Sequence, residues 1–531
     1  MEIHDLIGGA WLAATYGIEP VMPLATVSCL GGRRATRVSA GVTTETYVES
    51  MRPNASVRGH LTFHLKHEVP HLELLSRLFA KIAPRELTDW LAEEPSGQYA
   101  KRAGFLYEFL TGQTLAMRAE ISGSYVDVMD GTKLVVASPT QSVPNRRWRV
   151  RDNLPGTRAF CPVIRKTADS VSAMGLDVAG LIDALALEFG DALLMRSAVW
   201  MTLRESRASF ALEGEADQSA RIQRFADVLS RRTGQGVWPL DQTALAELQA
   251  DILGQRTTLQ HFGIRQSPVF VSEATRYQEV VHYLAPPPED VPQMLAGLAT
   301  FLARTQGQSA VMRSAVAAFG FIYIYPLADG NGRVHRFLIN DSLRRDGVVK
   351  YPLILPVSSL ISSNHAERLA YDRILDDVSR PLMQSLTGLY EFSPTATTYP
   401  DGIRSNLISH GNDSARHVWR LPDLTRHVIY LAQALDRTIR ADMHEESRYM
   451  RSHAKARTAI KDIVEMPDAQ IDRIIRSAAA NQGKLSHVLS KEIPILGKSG
   501  VWDAMVTAIE LAFRDGPKAS SVRKYSGGQP S

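Results

Sequence analysis

Apolar and polar positions divide the chain into zones of different period. Residues 1–165 mix alternating apolar positions with turn clusters such as Val126-Asp127-Val128-Met129-Asp130-Gly131. They close on a basic stretch from Asn145 to Arg151, followed by Asn153-Leu154-Pro155-Gly156. That mixture predicts an α+β region. From about 166 to 395 the period becomes helical, with Leu181, Ile182, Leu185, Leu187 and Phe189 ahead of a long amphipathic stretch through 213. Two β-like runs interrupt it, Pro268-Val269-Phe270-Val271 and Val280-Val281-His282-Tyr283-Leu284, and predict a hairpin with a longer loop. Pro286-Pro287-Pro288-Glu289-Asp290 then forms a stiff lead into a helix, with acidic residues at its positive end. The most apolar run, 311–327, contains Arg313 and stops at Pro326. It falls short of the roughly 20 residues of a membrane span, which predicts a buried core helix. Residues 396–415, rich in Ser, Gly, Asn and Pro, read as a linker, and 416–514 as a helical carboxy-terminal domain. The polar stretch 515–531 reads as a disordered tail. The expected fold is therefore mainly α, with a small β-hairpin and an α+β amino-terminal region.

Composition adds few constraints. The 531 residues are 44% hydrophobic and 22% charged, with a formal net charge of +4, too small to imply nucleic acid or an anionic membrane as the main partner. Cys29 and Cys161 make neither a disulfide framework nor a multi-cysteine metal site. The acidic start and the broken apolar stretch behind it do not read as a secretory signal, so the expected location is cytoplasmic.

Chemistry concentrates between Ile324 and Arg336, in Ile-Tyr-Pro-Leu-Ala-Asp-Gly-Asn-Gly-Arg-Val-His-Arg. An apolar helix stops at Pro326, a glycine-rich turn follows, and a second helix starts. Gly330 and Gly332 permit positive φ, so that backbone N–H groups around Asn331 face one concavity, reinforced by the positive end of the second helix. Arg333 and Arg336 lie three apart on one helical face and can grip phosphate oxygens. Asp329 is a hard oxygen ligand for Mg²⁺ bridging those phosphates. The sum is a polyphosphate cradle with a metal.

This string resembles the signature of the Fic family, His-Pro-Phe-x-(Asp/Glu)-Gly-Asn-Gly-Arg-x-x-Arg, at Pro326, Asp329, Gly330, Asn331, Gly332, Arg333 and Arg336. The resemblance implies a helical core that transfers AMP from Mg-ATP to a protein hydroxyl. It implies that Val269, Phe270 and Val271 belong to a flap that docks an extended target segment. It also implies that Ser209, Glu213 and Gly214 match an inhibitory motif, (Ser/Thr)-x-x-x-Glu-(Gly/Asn), whose Glu213 would pair with Arg336. Residues 87–165 look like the amino-terminal extension of larger bacterial members, and Tyr371 like a residue of the base pocket.

Two positions depart from the signature. Leu327 replaces phenylalanine, an apolar exchange, and Tyr325 replaces the catalytic histidine. A tyrosine with an ordinary pKa of about 10 is protonated at neutral pH and makes a poor general base. His335, on the following helix, is expected to be a packing residue. Two readings stay open: an adenylyltransferase restrained by Glu213 and impaired at Tyr325, or a pseudoenzyme that binds ATP or a protein partner without turnover. A nucleic-acid-binding carboxy-terminal unit is the weaker third. It rests on scattered cations from Arg416 to Lys461 and a winged-helix-like pattern over Ile471–Ile495, and the acids Asp423, Asp436, Asp442, Glu445 and Glu446 dilute it.

Overall fold

The computed structural model describes residues 5–39, 41–117, 120–215, 217–254, 257–274 and 279–514. The fold is mainly α with small sheets, as the sequence pattern predicts. Two compact units cut across the expected boundaries. The first comprises 1–176, 206–348 and 361–433, and the second 177–205, 349–360 and 434–531.

The first unit begins as α+β. A four-stranded sheet runs in the order Leu6–Ile7, Thr26–Leu30, Val42–Tyr47, Ala35–Ser39, with the middle pair parallel and the outer pairs antiparallel. Helices Val57–His67, Leu72–Lys81, Pro84–Glu93 and Gln98–Thr111 share a core with Leu61, Leu75, Leu78, Leu106 and Trp148. Local chemistry sets their limits. The Ser56 hydroxyl accepts the Gly59 N–H at 3.1 Å to start one helix, and Gly112, at φ +71°, ends another. Gly104 is there for space, because a Cβ would lie 2.2 Å from the Trp148 ring.

The same unit holds the helices Ser219–Arg232, Gln242–Leu253, Val291–Arg304, Ala310–Ile324, Asn331–Arg345 and His365–Ser385. Ala310–Ile324 is the predicted core helix: it is apolar all round, and almost every residue is buried. Its one charge, Arg313, is satisfied by Asp346 at 2.7 Å, by the Thr305 hydroxyl at 3.1 Å and by the Leu302 carbonyl.

The linker expected at 396–415 is corrected. Tyr390–Thr398 and Arg404–Ser409 pair antiparallel, with Tyr390 opposite Ser409 and Thr398 opposite Arg404, and the helix Asn412–Arg420 follows. The aromatic and threonine content that favours strands outweighs the Ser/Asn/Pro content that suggested a linker. Pro400-Asp401-Gly402 supplies the turn, with Gly402 at φ +84°.

The second unit is helical through His444–Ile463, Asp468–Ala480, His487–Glu492 and Val501–Phe513, around Ile460, Ile471, Ile474, Met505 and Ile509. Its winged-helix expectation is also corrected. Among the described residues 471–495 hold no strand, and the chain instead turns through a short helix into Pro494–Gly497. Several of its cations are spent on local acids, Arg457 on Asp472, Lys461 on Asp468 at 2.6 Å and Arg440 on Asp436 at 2.7 Å. No single helix among the described residues is long and apolar enough to cross a membrane.

Candidate functional site

The helix Ala310–Ile324 ends at Tyr325, whose N–H still donates to the Phe321 carbonyl at 2.9 Å. Pro326 cannot continue the ladder, and Tyr325 itself sits left-handed at φ +50°, ψ 56°. A non-glycine residue held there stores about 1–2 kcal/mol of strain. Arg265 supports it. This side chain is only 2% exposed, and it donates to the carbonyls of Tyr325 at 2.7 Å, Ser267 at 2.8 Å and Pro286 at 2.5 Å. Its own N–H reaches the Pro326 carbonyl at 2.9 Å. Burial lowers the guanidinium pKa to about 10.

Beyond Pro326 the turn is clasped by Asn331. Its Oδ1 accepts the Leu327 N–H at 3.0 Å and its Nδ2 donates to the Leu327 carbonyl at 2.7 Å. The Asn331 side chain therefore holds the loop in shape. Leu327 is fully buried, an apolar residue filling an apolar position. Gly330, at φ +92°, begins the helix Asn331–Arg345 as expected. Gly332 does not need positive φ, because it lies inside the helix. What it supplies is space: a Cβ there would sit 2.6 Å from Glu213 Oε1.

Glu213 reaches this point because the helix Asp191–Leu212 stops at Gly214, φ +76°, with the Glu215 N–H turned back to the Phe210 carbonyl at 2.9 Å. Ser209 and Glu213, four apart, then share a face. Glu213 Oε1 binds Arg336 Nη2, and Oε2 lies 2.7 Å from Arg333 Nε. The Ser209 hydroxyl accepts from Arg336 Nε at 2.6 Å, and its carbonyl from Nη2 at 3.2 Å. The two arginines are 3% and 4% exposed, so the carboxylate bridges two buried cations beside a helix N-terminus. Sequence reasoning pairs Glu213 with Arg336; the structure adds Arg333.

Asp329 is exposed, with Oδ1 3.5 Å from Arg333 Nη2. Its carbonyl accepts from Gln249 Nε2 at 2.8 Å, and Gln249 Oε1 accepts the Gly263 N–H at 2.6 Å. Among the described residues no three metal-ligating side chains converge. A lone accessible carboxylate is a donor of the kind Mg²⁺ takes, since that ion commonly binds one or two carboxylates and completes its shell with phosphate oxygens and water.

The Tyr325 phenol is poorly placed to act as a base. Burial, then the charges of Glu213 and Asp329, push its pKa up to about 12 against the opposing pull of Arg265 and Asn331. His335 offers no substitute: its ring is buried against Phe319 and Tyr371, with Nδ1 2.8 Å from the Ala318 carbonyl. Burial pulls its pKa down to about 3, and the ring stays neutral. Tyr371 is buried between His335 and Tyr430, with Arg336 beside it.

The predicted hairpin is Phe270–Ala274 paired with Glu279–Leu284, with Phe270 opposite Leu284 and a bulge after Val271. Its expected loop includes 275–278, outside the described residues. Val269 extends the pairing by accepting the Ala285 N–H at 3.1 Å, and the Phe270 ring lies 5.1 Å from Phe392. Asp401 anchors the base of the hairpin. Its Oδ2 accepts the N–H groups of Gln266 and Ser267 at 2.8 and 2.9 Å and the Ser267 hydroxyl at 2.7 Å. Sequence reasoning missed Arg265, Asp401, Gln249 and Glu215. The available hints were a lone cation just before the β run and an Asp-Gly turn in the presumed linker.

Part of the chain resembles known proteins. Residues 239–343 match the Fic/DOC family. The protein adenylyltransferase fic-1 of Caenorhabditis briggsae is 29% identical over 117 residues, 22% of this chain. The chain thus spans about a fifth (21%) of that curated relative. A Fic family protein from Desulfovibrio desulfuricans G20 aligns over 68% of this chain and 87% of its own, at 16% identity and a TM-score of 0.36.

Proposed function

We propose that the Fic domain binds ATP and is built to transfer AMP to a hydroxyl of a protein target, held off by Glu213 and slowed by Tyr325. Arg333, Arg336 and the first-turn amides of Asn331–Arg345 take the phosphate oxygens. Asp329 would hold Mg²⁺, which neutralises phosphate charge when bound. A target strand pairs with the flap near Val269–Val271. The target oxygen then bonds to the α-phosphorus, the bond to the β-phosphate oxygen breaks, and pyrophosphate leaves. The hydroxyl proton passes to the minor phenolate form of Tyr325, because the phenol itself already carries its own. The loss of general-base help costs about 10²–10⁴ in rate.

The carrying observation is Glu213 bridging Arg333 and Arg336. A carboxylate there takes the place a phosphate group would need. Replacing it, Glu213→Gly, should raise affinity for Mg-ATP by about 10- to 100-fold, as two buried guanidinium groups lose the carboxylate they share. Calorimetric titration checks this, and affinities within twofold of one another would exclude Glu213 as a competitor. The pseudoenzyme reading draws on the raised phenol pKa, and turnover separates the two.

A further inference from the structure

The turn that presents Glu213 presents a second acid. The Glu215 N–H closes the helix end on the Phe210 carbonyl, and this places its side chain between two arginines. Glu215 Oε1 lies 3.0 Å from Arg221 Nη1, on the helix Ser219–Arg232, and Oε2 lies 3.7 Å from Arg333 Nη2. The Phe210 ring is shared in the same way, with Arg333 5.1 Å and Arg221 5.5 Å from its centroid.

Both ends of the Glu215–Arg333 contact are incompletely satisfied. Glu215 Oε2 is buried and makes no hydrogen bond among the described residues. Neither do Arg333 Nε and Nη1: the 2.7 Å approach of Nε to Glu213 is an ion pair off the line of a hydrogen bond. A buried guanidinium surrounded by Glu213, Glu215 and Asp329, yet short of aligned acceptors, keeps N–H donors that phosphate oxygens can take once those carboxylates move aside. Arg336 differs, since Ser209 and Glu213 both accept from it in good geometry.

We infer that Glu215 sets the affinity of the phosphate site: it neutralises Arg333 in parallel with Glu213, and a bound nucleotide displaces it wholly onto Arg221. The inference rests on the nucleotide-binding reading above. It implies that removing Glu213 leaves Arg336 held by Ser209 without that carboxylate, and leaves Arg333 still partly neutralised. Arg221 acts as a positioning residue, the alternative partner that lets Glu215 leave at low cost.

The test uses the full chain carrying Glu213→Gly and the non-hydrolysable analogue AMP-PNP with Mg²⁺, titrated calorimetrically. Adding Glu215→Gln, which keeps the shape and removes the charge, should tighten binding by about fivefold, by less at high salt, and should leave binding of adenosine unchanged. Adding Arg221→Met instead should weaken AMP-PNP binding by about threefold, because Glu215 is left with Arg333 alone. Asp217→Asn removes a neighbouring charge without this contact and should change nothing. Equal affinity with and without Glu215→Gln would overturn the inference while the nucleotide reading stands. So would a gain matched by Asp217→Asn, which would mark a general charge effect. Failure of the Glu213→Gly protein to bind AMP-PNP at all would overturn both.

Discussion

In a protein already carrying Glu213→Gly, the further change Tyr325→His should raise the rate of AMP transfer by about 10²–10⁴ at neutral pH. The magnitude follows from the base. With a pKa pushed up to about 12, the phenol is ionised in roughly one molecule in 10⁵ at pH 7. An imidazole with an ordinary pKa near 6.5 is mostly in the accepting form. The backbone tolerates the exchange, because position 325 is left-handed and histidine adopts that conformation more readily than bulky residues do. Incubation with ATP labelled on the α-phosphate, followed by mass spectrometry of AMP adducts on the protein itself, reads the rate.

The pH profile carries the sign. With Tyr325 in place the active form is the phenolate, so the rate should climb about tenfold per pH unit through the neutral and alkaline range toward about pH 12. Glu213→Gly removes one of the charges raising that pKa, but burial, the largest cause, remains. With the imidazole of the Tyr325→His variant as base, the profile should rise and level off near about pH 7. Comparable rates at neutral pH with both residues would show that the phenol is no handicap. Transfer by the histidine variant alone would show a sound phosphate cradle in a chain that lacks its own base.

The turn from Tyr325 to Arg336 is legible in the sequence because each of its parts is local. Pro326 stops a helix, Gly330 needs a positive φ, and Arg333 and Arg336 share a face by helical period alone. The Ser209–Glu213 face is legible for the same reason. That Glu213 spans both arginines is not, since it depends on how far Gly332 lets it approach, a contact across more than a hundred residues of chain. Arg265 and Asp401 were hidden for a similar reason. Arg265 mostly serves backbone carbonyls, which leave no pattern in side-chain identities. Asp401 sits in a turn whose composition resembles a linker until the strands on either side are seen to pair. The amino-terminal region was readable only as a mixture, because its sheet joins Thr26–Leu30 to Val42–Tyr47 in parallel across an intervening strand.

The other large effect is expected from Arg265→Met. This change removes three donors from the carbonyls of Tyr325, Ser267 and Pro286 while leaving much of the aliphatic stem. A buried carbonyl left without a partner costs about 1–3 kcal/mol, so the loss should reach several kcal/mol unless water enters. It should also be localised. Ser267 and Pro286 flank the two strands of the flap, and the Tyr325 carbonyl belongs to the left-handed residue at the site. Amide hydrogen exchange should therefore lose protection first over 267–271 and 283–286, ahead of the helix Ala310–Ile324. In the Glu213→Gly, Tyr325→His background, AMP transfer should fall by at least about tenfold. Affinity for Mg-ATP should hold within about threefold, because Arg333 and Arg336 are carried by a different helix. Arg265→Lys, which can restore part of the donor set, should recover part of the protection. Unchanged exchange over the flap would show that Asp401 alone secures it, and an equal loss of nucleotide affinity and transfer would show that Arg265 supports the whole domain and not the link between flap and site.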